Sequence, residues 1–290
     1  MRYDFIRQEK KAYPVTVLCK VMEVSRSGFY EYFHSFNKRS DDSSEKAALK
    51  ARICAIFKEH RSKYGSRRIA KQLKNEGHQI GRYKVRRLMR ELGLKAKASK
   101  RYKVTTDSRH SFPVAANLLD RKFDVDKPDT VWTTDITYVW TFEGWLYLAV
   151  VLALYSRQIV GWAMDKRIKK QLTLDALAMA YWRRKPPSGL LHHSDRGSQY
   201  ACHDYQKRLN EYGMVASMSR KGNCWDNAPT ERVFRSLKSE RLSDYRFVTR
   251  RSAEMQVLDY ISYYNSIRLH STLGYKTPFA YEKELCRKAA

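Results

Sequence analysis

The chain has 290 residues, a length that suggests about two domains, and its 57 Lys and Arg against 30 Asp and Glu give a formal charge of +27. Because 43% of the residues are hydrophobic and 13% aromatic, a disordered basic tail is excluded, and the charge favours nucleic acid over an anionic membrane surface as the partner. The longest uncharged run, residues 144–156, is too short to span a bilayer, and five scattered Cys without a C-x-x-C pair exclude a disulfide framework and a Cys-type zinc site.

The first predicted elements are two short helices. Apolar residues at 15, 18, 19 and 22 repeat at helical spacing, and Ser25 suits the N-cap of a second helix over 26–33. Helix, three-residue turn, helix is the layout of a helix-turn-helix, with an ordinary helical hairpin as the alternative. The polar run Asp41–Ser44 predicts a linker and a cap before a third helix over 47–60.

A second helix-turn-helix candidate follows. Ile69, Ala70 and Leu73 mark one helix, and apolar residues at 85, 88, 89 and 92 mark another over 82–92, which Gly93 ends. The polar side of this last helix is basic, which suits a phosphate groove, whereas a solvated basic helix is the alternative. We predict DNA contacts for Lys84, Arg86, Arg87 and Arg90, and also for Lys100, Arg101 and Lys103 in the basic linker that follows.

From residue 130 the pattern changes to that of an α/β domain with a mixed sheet. Three strands in meander order are predicted over 131–140, 147–155 and 158–164, with a turn at Glu143-Gly144. Helices over 172–183 and 200–212 then alternate with short strands over 190–192 and 215–218, and further helices cover 229–241 and 250–266. This order is the one found in ribonuclease-H-like folds.

Three acids stand out in this basic domain. Asp135 lies within the first predicted strand, Asp195 ends the fourth, and Glu231 lies in the first turn of a helix. Each alone has an ordinary explanation, such as a satisfied structural acid or compensation of the helix dipole. Together they offer hard oxygen ligands for Mg²⁺, and two such ions can clamp the attacking and leaving oxygens of a phosphoryl displacement. On a chain of charge +27, the expected phosphodiester is a nucleic-acid backbone.

The sequence resembles a known family at this point. Asp195 and Glu231 are separated by 35 residues, which resembles the D, D-35-E signature of retroviral integrases and insertion-sequence transposases. The surrounding segments resemble the second-frame (OrfB) product of the insertion-sequence family numbered three, and the similarity covers essentially the whole chain. The segments are WTTDITYVWTFEGWLYLAVV, SRQIVGWAM, HHSDRGSQY, SMSRKGNCWDNAPTERVFRSLKSE and YNSIRLHSTLGYKTPFAYE, with YGSRRIAKQL and RRLMRELGL in the first half.

The resemblance implies roles for individual residues. Asp135, Asp195 and Glu231 match the metal-binding catalytic acids, which implies two Mg²⁺ ions, with Mn²⁺ as a substitute. Lys238 matches the basic residue seven positions after the Glu, which contacts terminal DNA; two helical turns place it on the Glu231 face. Arg235 could pair with Glu231 when no metal is bound. Residues in matched segments are expected around the site as DNA contacts: His193, Ser194, Arg196, Asn223 and Asn227.

The resemblance also implies partners and a reaction. The expected activity is that of a DNA transposase: metal-dependent cleavage frees a 3′-OH, which then attacks a second phosphodiester, through a circular intermediate of a copy-out–paste-in pathway. In this family the upstream frame (OrfA) supplies a further helix-turn-helix and a leucine zipper, usually as an OrfAB fusion. This chain starts with its own Met and has no sustained heptad run, so we expect the catalytic part alone. Many relatives carry an acid in the second-strand segment where this chain reads Leu152-Ala153-Leu154.

These patterns predict a ribonuclease-H-like α/β core, a mixed sheet with flanking helices, preceded by small all-α helix-turn-helix domains. Two alternatives stay open: a metal-dependent nuclease without strand transfer, and a non-catalytic DNA-binding regulator derived from a transposase. Double-stranded DNA, a homodimer or larger synaptic assembly, no membrane and a bacterial, nucleoid-associated cytoplasmic location are expected. The predicted segments are 1–38 and 42–95 (helix-turn-helix-like), 96–127 (basic linker), 128–245 (catalytic core) and 246–290 (helical extension).

Overall fold

The computed structural model describes residues 1–96, 112–221 and 223–288. The chain folds as two compact units, Met1–Lys97 and Ala98–Ala290. Among the described residues, no helix combines the length and the apolarity needed to cross a membrane. The predicted contacts of Lys100, Arg101 and Lys103 lie outside the described residues.

The first unit is helical. Its helices are α1 (Arg2–Glu9), α2 (Val15–Val21), α3 (Arg26–Glu59), α4 (Ser66–Asn75) and α5 (Arg82–Glu91). The prediction of a linker at Asp41–Ser44 was wrong, because α3 runs without a break through this run. No Gly or Pro occurs between Gly28 and Gly65, so nothing interrupts the backbone hydrogen bonds, and the polar residues that favour caps are tolerated within the helix.

The other local signals of the first unit are confirmed. The Ser25 hydroxyl accepts a hydrogen bond from the Gly28 N–H at 3.1 Å, which caps α3. Gly93 follows α5 with a φ of +66°, the left-handed conformation that glycine adopts at low cost. The predicted apolar stripes are buried: Ile69, Ala70 and Leu73 on α4, and Val85, Leu88 and Met89 on α5.

The second unit contains a five-stranded mixed sheet. Its strands are β1 (Val131–Thr141), β2 (Gly144–Ala153), β3 (Gln158–Asp165), β4 (Leu191–Ser194) and β5 (Val215–Met218), in the order β3-β2-β1-β4-β5. The first three strands pair antiparallel, and β4 pairs parallel with both β1 and β5. The predicted meander followed by alternating helices and strands is therefore confirmed.

Helices cover both faces of this sheet. They are α6 (Lys170–Arg184), α7 (Ser198–Ala201), α8 (His203–Glu211), α9 (Ala228–Glu240), α10 (Arg250–Ser266) and α11 (Pro278–Lys288). The single helix predicted over 200–212 is instead α7 and α8, because Cys202 between them is extended, with a ψ of 150°. One core packs α6 and α8 against the sheet, and the other packs α9 and α10 against it. Each face of the sheet is therefore covered by helices.

The C-terminal part packs on the second core. Val257 and Ile261 of α10 are buried in the core that also holds Leu237 of α9. The buried Arg268 guanidinium donates two hydrogen bonds of 2.7 Å to the Glu240 carboxylate at the end of α9. Helix α10 therefore packs on the core, and the ion pair of Arg268 anchors the far end of α9.

Candidate active site

The sheet register brings Asp135 and Asp195 to neighbouring positions. In the parallel pair β1–β4, Thr133 pairs with His193, and each aspartate lies two residues further along its chain. Asp195 directly follows the last residue of β4, at the carboxyl end of the strand, where α/β sheets place their ligand sites. The burial of Asp135 raises its pKa, and the adjacent negative charge of Asp195 raises it further.

Helix α9 supplies the third acid, and two buried hydrogen bonds attach its first turn to β1. The hydroxyl oxygens of Thr133 and Thr230 lie 2.6 Å apart. The Asn227 side-chain amide donates to the Thr134 carbonyl oxygen at 2.9 Å. These bonds fix the first turn of the helix, which carries Glu231, against the strand that carries Asp135. The structure therefore brings the three predicted acids together.

The three carboxylates share one electrostatic environment. The pKa of Glu231 is raised by burial and by the charge of Asp195, while Arg235 lowers it. The charge of Glu231 in turn contributes to the raised pKa of Asp135. Like charges held together in a partly buried site repel one another, so the arrangement favours a positively charged partner.

Lys238 lies at the border of this group, as its helical spacing from Glu231 predicts. Its pKa is lowered by burial, and the negative charge of Asp135 opposes that shift. Its Nζ lies 4.8 Å from the centre of the Tyr138 ring on β1. A half-buried ammonium group in contact with an aromatic face is held in place and can contact a phosphate beside the acids.

Mg²⁺ is the metal that the family resemblance implies, and the candidate site offers it three carboxylates. The described part of the chain contains no group of three or more His, Cys, Asp or Glu side chains arranged to hold an ion together. The chemistry nevertheless fits: three carboxylates offer the hard oxygen ligands that Mg²⁺ prefers. Two of them, Asp135 and Glu231, also have pKa values raised by burial and further by neighbouring carboxylates, and a bound cation relieves that repulsion.

Asp226 organises the approach to α9, and the sequence analysis did not single it out. Its buried carboxylate accepts hydrogen bonds from Arg121 Nε at 2.8 Å, Arg220 Nη2 at 2.9 Å and Asn117 Nδ2 at 3.1 Å. These hydrogen bonds, above all those from Arg220, hold the pKa of Asp226 well below the usual range. An acid followed by Asn-Ala-Pro at a helix start is a weak sequence signal for such an anchor.

Several predicted DNA contacts are buried framework residues. His193, Ser194 and Asn227 are at most 4% exposed, and the two ring nitrogens of His193 contact the hydroxyls of Ser217 and Ser219 at 2.9 and 3.2 Å. Burial lowers the pKa of His193 to about 4, which leaves its ring neutral. The structure therefore does not favour direct DNA contacts by these three residues. We interpret them as residues that hold the framework of the site.

Two other residues from the matched segments also make internal bonds. Arg196 Nε donates to the Ser219 carbonyl oxygen at 2.6 Å. The Asn223 side chain accepts a hydrogen bond from the Trp225 N–H at 3.2 Å and so caps the short helical turn before α9. Both side chains are partly exposed, so their contact with DNA stays a prediction.

The predicted basic surface of α5 is present in the first unit. Lys84, Arg86, Arg87 and Arg90 are all exposed on the side opposite the buried stripe. Arg87 Nε lies 3.9 Å from the Glu91 carboxylate, a distance that leaves its other donors available to a phosphate. The first helix pair, α2 and the start of α3, carries no comparable cluster, and its DNA contact stays a prediction.

Comparison with known families divides the chain much as the fold does, into an N-terminal helical part and a C-terminal part that contains the sheet. Residues 44–102 match a family described as an HTH-like domain, and residues 125–224 and 212–278 match two families described as integrase core domains. The integrase-core match includes Asp135 and Asp195, and the second match includes Glu231 and Lys238. The acids of the candidate site therefore all lie within matched regions.

Full-length relatives are also found. The chain is 43% identical to an uncharacterized 31 kDa protein of insertion element IS600 from Shigella sonnei, over 94% of this chain and all of that protein. It is 38% identical to the transposase InsF of insertion sequence IS3A from Escherichia coli, over 98% of this chain and 99% of InsF.

Solved structures give more distant matches. The catalytic core of HTLV-2 integrase in complex with magnesium is 17% identical, with a TM-score of 0.43, over 53% of this chain and 97% of that chain. A simian T-cell lymphotropic virus intasome is 17% identical, with a TM-score of 0.48, over 73% of each chain.

Proposed function

Because the chain belongs to the IS3 family of insertion-sequence transposases, we propose that Asp135, Asp195 and Glu231 form the catalytic site of its integrase core domain. The observation that carries this proposal is geometric: the β1–β4 register brings Asp135 and Asp195 to neighbouring positions, and two buried hydrogen bonds hold the first turn of α9, with Glu231, against β1. On a chain of charge +27, three acids gathered at one place serve chemistry on a polyanion better than they serve folding.

We propose that the three acids hold two Mg²⁺ ions, for which Mn²⁺ can substitute. When bound, these ions neutralise charge on the phosphodiester oxygens and so stabilise the transition state of phosphoryl transfer. The chain's own contribution is to hold the half-buried acids in place on β1, directly after β4 and on α9. The Thr133–Thr230 and Asn227–Thr134 bonds keep the helix from drifting away from the strand.

The proposed reaction has two phosphoryl-transfer steps. In the first, a water oxygen forms a bond to phosphorus at the element end, and the bond to the 3′ oxygen breaks, which leaves a free 3′-OH. In the second, that 3′ oxygen bonds to a target phosphorus and the target's own 3′ oxygen leaves. Lys238, next to Asp135, would hold a phosphate of the transferred end, since its ammonium lies at the border of the acids.

We also propose that the protein works as part of an assembly, because the reaction involves two element ends. Two element ends must be held together, so a homodimer or larger assembly is expected in the synaptic complex, together with the OrfA product or an OrfAB fusion for recognition of the ends. The exposed basic surface of α5 supplies affinity for the duplex backbone. The substrate is chromosomal, so a bacterial cytoplasmic, nucleoid-associated location follows.

Strand transfer tests this function. An oligonucleotide with a preformed 3′-OH end is incubated with plasmid, the protein, and Mg²⁺, Mn²⁺ or EDTA, and Glu231→Gln is the matched variant. Joined product that requires the metal and disappears in the variant supports the proposal. Cleavage without joining would favour a nuclease. DNA binding without either reaction, also in an OrfAB fusion, would favour a regulator.

A further inference from the structure

The turn between β1 and β2 exposes large aromatic side chains. Trp140 is 57% exposed, Phe142 69% and Trp145 41%, and Tyr138 is half-buried beside them. We refer to these four residues as the hairpin aromatic cluster. Exposing so much aromatic surface in water is unfavourable unless a ligand covers it, and exposed aromatic patches commonly mark binding sites.

Three members of the cluster, Tyr138, Trp140 and Trp145, contact one another. Trp140 and Trp145 are directly paired across the two strands, and their rings are 4.8 Å apart at an interplanar angle of 71°. The ring of Tyr138 lies 5.0 Å from that of Trp145 at 82°. These edge-to-face contacts hold each ring while the outer faces stay accessible.

The hairpin that presents the cluster is itself held in place. Gly144 has a φ of +104°, which lets the chain turn tightly after Glu143. Arg250, at the start of α10, donates from its backbone N–H to the Glu143 carboxylate at 2.9 Å and from Nε to the Trp145 carbonyl oxygen at 3.0 Å. The Phe142 N–H donates to the Phe247 carbonyl oxygen at 3.0 Å. The rings are thus presented on a fixed support, which reduces the entropy lost on binding.

The cluster adjoins the catalytic acids at the edge of β1. Tyr138 lies three residues after Asp135 on β1, roughly 10 Å along the strand, and because side chains alternate along a strand the two project to opposite faces of the sheet. Lys238, whose Nζ lies 4.8 Å from the Tyr138 ring centre, also interacts with the charge of Asp135. β4 pairs with β1 only as far as Thr133. A DNA strand that leaves the acids past Lys238 and crosses the part of β1 that β4 does not cover therefore meets the aromatic rings next.

From this geometry we infer that the hairpin aromatic cluster binds unpaired nucleobases of the DNA strand next to the reacting phosphate, by stacking them on the rings of Trp140, Phe142 and Trp145. The inference rests on the proposed function, because that function places the reacting phosphate at the acids. Bases stack on aromatic side chains with little sequence preference, which suits positions next to an end. The span from Asp135 to Trp140 is roughly 17 Å, which at most about five nucleotides cover at the 3.4 Å duplex rise and fewer cover when the strand is extended.

A protein partner is less well supported by the same surface. A stable protein interface buries about 800 Å² on each partner, and a cluster of four side chains at a hairpin provides only part of that area. Lys238 beside the cluster and the charge of +27 also favour a polyanion over a second copy of the same chain. Self-association is therefore an outcome that the test must detect.

The test measures binding of two DNA probes by the full chain. One probe is a blunt duplex, and the other is the same duplex with its last five nucleotides unpaired and a 2-aminopurine at the third. The proteins are Trp140→Ala, Phe142→Ala and Trp140→Phe, and Trp182→Ala on α6 is the control because Trp182 is also exposed, at 65%. All are also made with Glu231→Gln, so that no probe is consumed.

We expect the unmodified chain to prefer the unpaired probe and to quench 2-aminopurine fluorescence. Trp140→Ala and Phe142→Ala should each lower that preference about five- to tenfold while leaving blunt-duplex affinity unchanged, and Trp140→Phe should restore it. Trp182→Ala should behave as the parent. Equal preference and quenching in the Trp140→Ala and parent proteins would overturn the inference, as would a change confined to the oligomeric state in sedimentation.

The two proposals can fail separately. Binding and quenching do not require catalysis, so they remain measurable if strand transfer is absent. If strand transfer occurs and depends on Glu231, but the alanine variants keep the preference for unpaired ends, then only the inference about the cluster fails. A circular dichroism melt of each variant shows whether a loss of binding reflects a loss of folding.

Discussion

The hydroxyl oxygens of Thr133 and Thr230 lie 2.6 Å apart in the buried contact between β1 and α9. Both side chains are fully buried. Thr133 is two residues before Asp135, and Thr230 immediately precedes Glu231. This hydrogen bond therefore holds the strand of Asp135 against the helical turn of Glu231, and the proposed chemistry requires the two carboxylates to be placed within about 0.5 Å.

Replacement of Thr230 by Val should impair both folding and catalysis. The substitution leaves the Thr133 hydroxyl buried without this partner, which costs about 1–3 kcal/mol of unfolding free energy. Strand-transfer turnover should fall more than DNA affinity, because the position of Glu231 changes and the basic surface does not. Urea unfolding and single-turnover joining measure the two effects. Thr230→Ser keeps the hydroxyl and should recover both; equal joining by the Val variant would contradict the assigned role.

Replacement of Asp135 by Asn should separate chemistry from binding. Loss of one carboxylate removes several kcal/mol of transition-state stabilisation, so joining should fall roughly 10³-fold or more. DNA affinity should stay within a few-fold, because it depends on the cations of α5 and other surfaces. Asp204→Asn, at an exposed acid paired with Lys170 on the same unit, is the control. Wild-type joining by the Asp135 variant would refute the catalytic assignment.

Addition of Mg²⁺ without DNA should stabilise the fold. Asp135 and Glu231 have pKa values raised by burial and by neighbouring carboxylates, and a bound cation relieves that repulsion. A ligand at 100 times its Kd adds about 2.7 kcal/mol of stability. In a unit of this size, each kcal/mol raises the melting temperature by about 2–4 °C. Differential scanning fluorimetry with K⁺ at matched ionic strength measures the shift. An Asp135→Asn/Asp195→Asn protein should show none, and an unchanged midpoint in the parent would argue against metal binding by these acids.

The elements with strong local signals were predictable from the sequence. The strand over 215–218 and the helix over 250–266 were predicted with the bounds that the structure shows. Asp135, Asp195 and Glu231 were identified because they lie in a strand, at a strand end and in the first turn of a helix, and because the spacing of the last two matches a known family. Strands, caps and spacing are properties of neighbouring residues, so the sequence expresses them directly.

The roles that depend on tertiary contacts were less accessible. His193 and Asn227 lie in segments that match the family, yet both are buried: the ring nitrogens of His193 contact Ser217 and Ser219, and the amide nitrogen of Asn227 donates to the Thr134 carbonyl oxygen. The polar run within α3 resembled a linker, because Asp and Ser favour caps whether or not a helix continues. Polar residues of one type serve as framework or as ligand contacts, and only their neighbours in space decide which.

Removal of charge from α5 should lower DNA affinity equally for all sequences. Each cation that contacts a phosphate releases counterions, so an Arg86→Ala/Arg90→Ala protein should lose about one to two units of the slope of log affinity against log salt. Fluorescence anisotropy between 50 and 200 mM salt, roughly the range over which such contacts weaken strongly, measures this slope. Lys58→Ala, at an exposed cation on α3, is the control. An unchanged slope in the double variant would show that α5 does not contact the backbone.

Asp226 should stabilise the fold in a way that depends on pH. Its carboxylate is 0% exposed and accepts hydrogen bonds from Arg220 and Arg121, so its pKa lies far below the ordinary value of 3.8. A lowered pKa in the folded state means that this stabilisation is complete above the unfolded pKa and is lost as the pH falls below it. Asp226→Asn should therefore cost about 3 kcal/mol of unfolding free energy at pH 7. The difference from the parent should shrink steadily as the pH falls below about 4. Urea unfolding at a series of pH values measures it, with Asp204→Asn as the exposed control, and a difference that stayed constant down to low pH would show that the charge of Asp226 is not what stabilises this corner of the site.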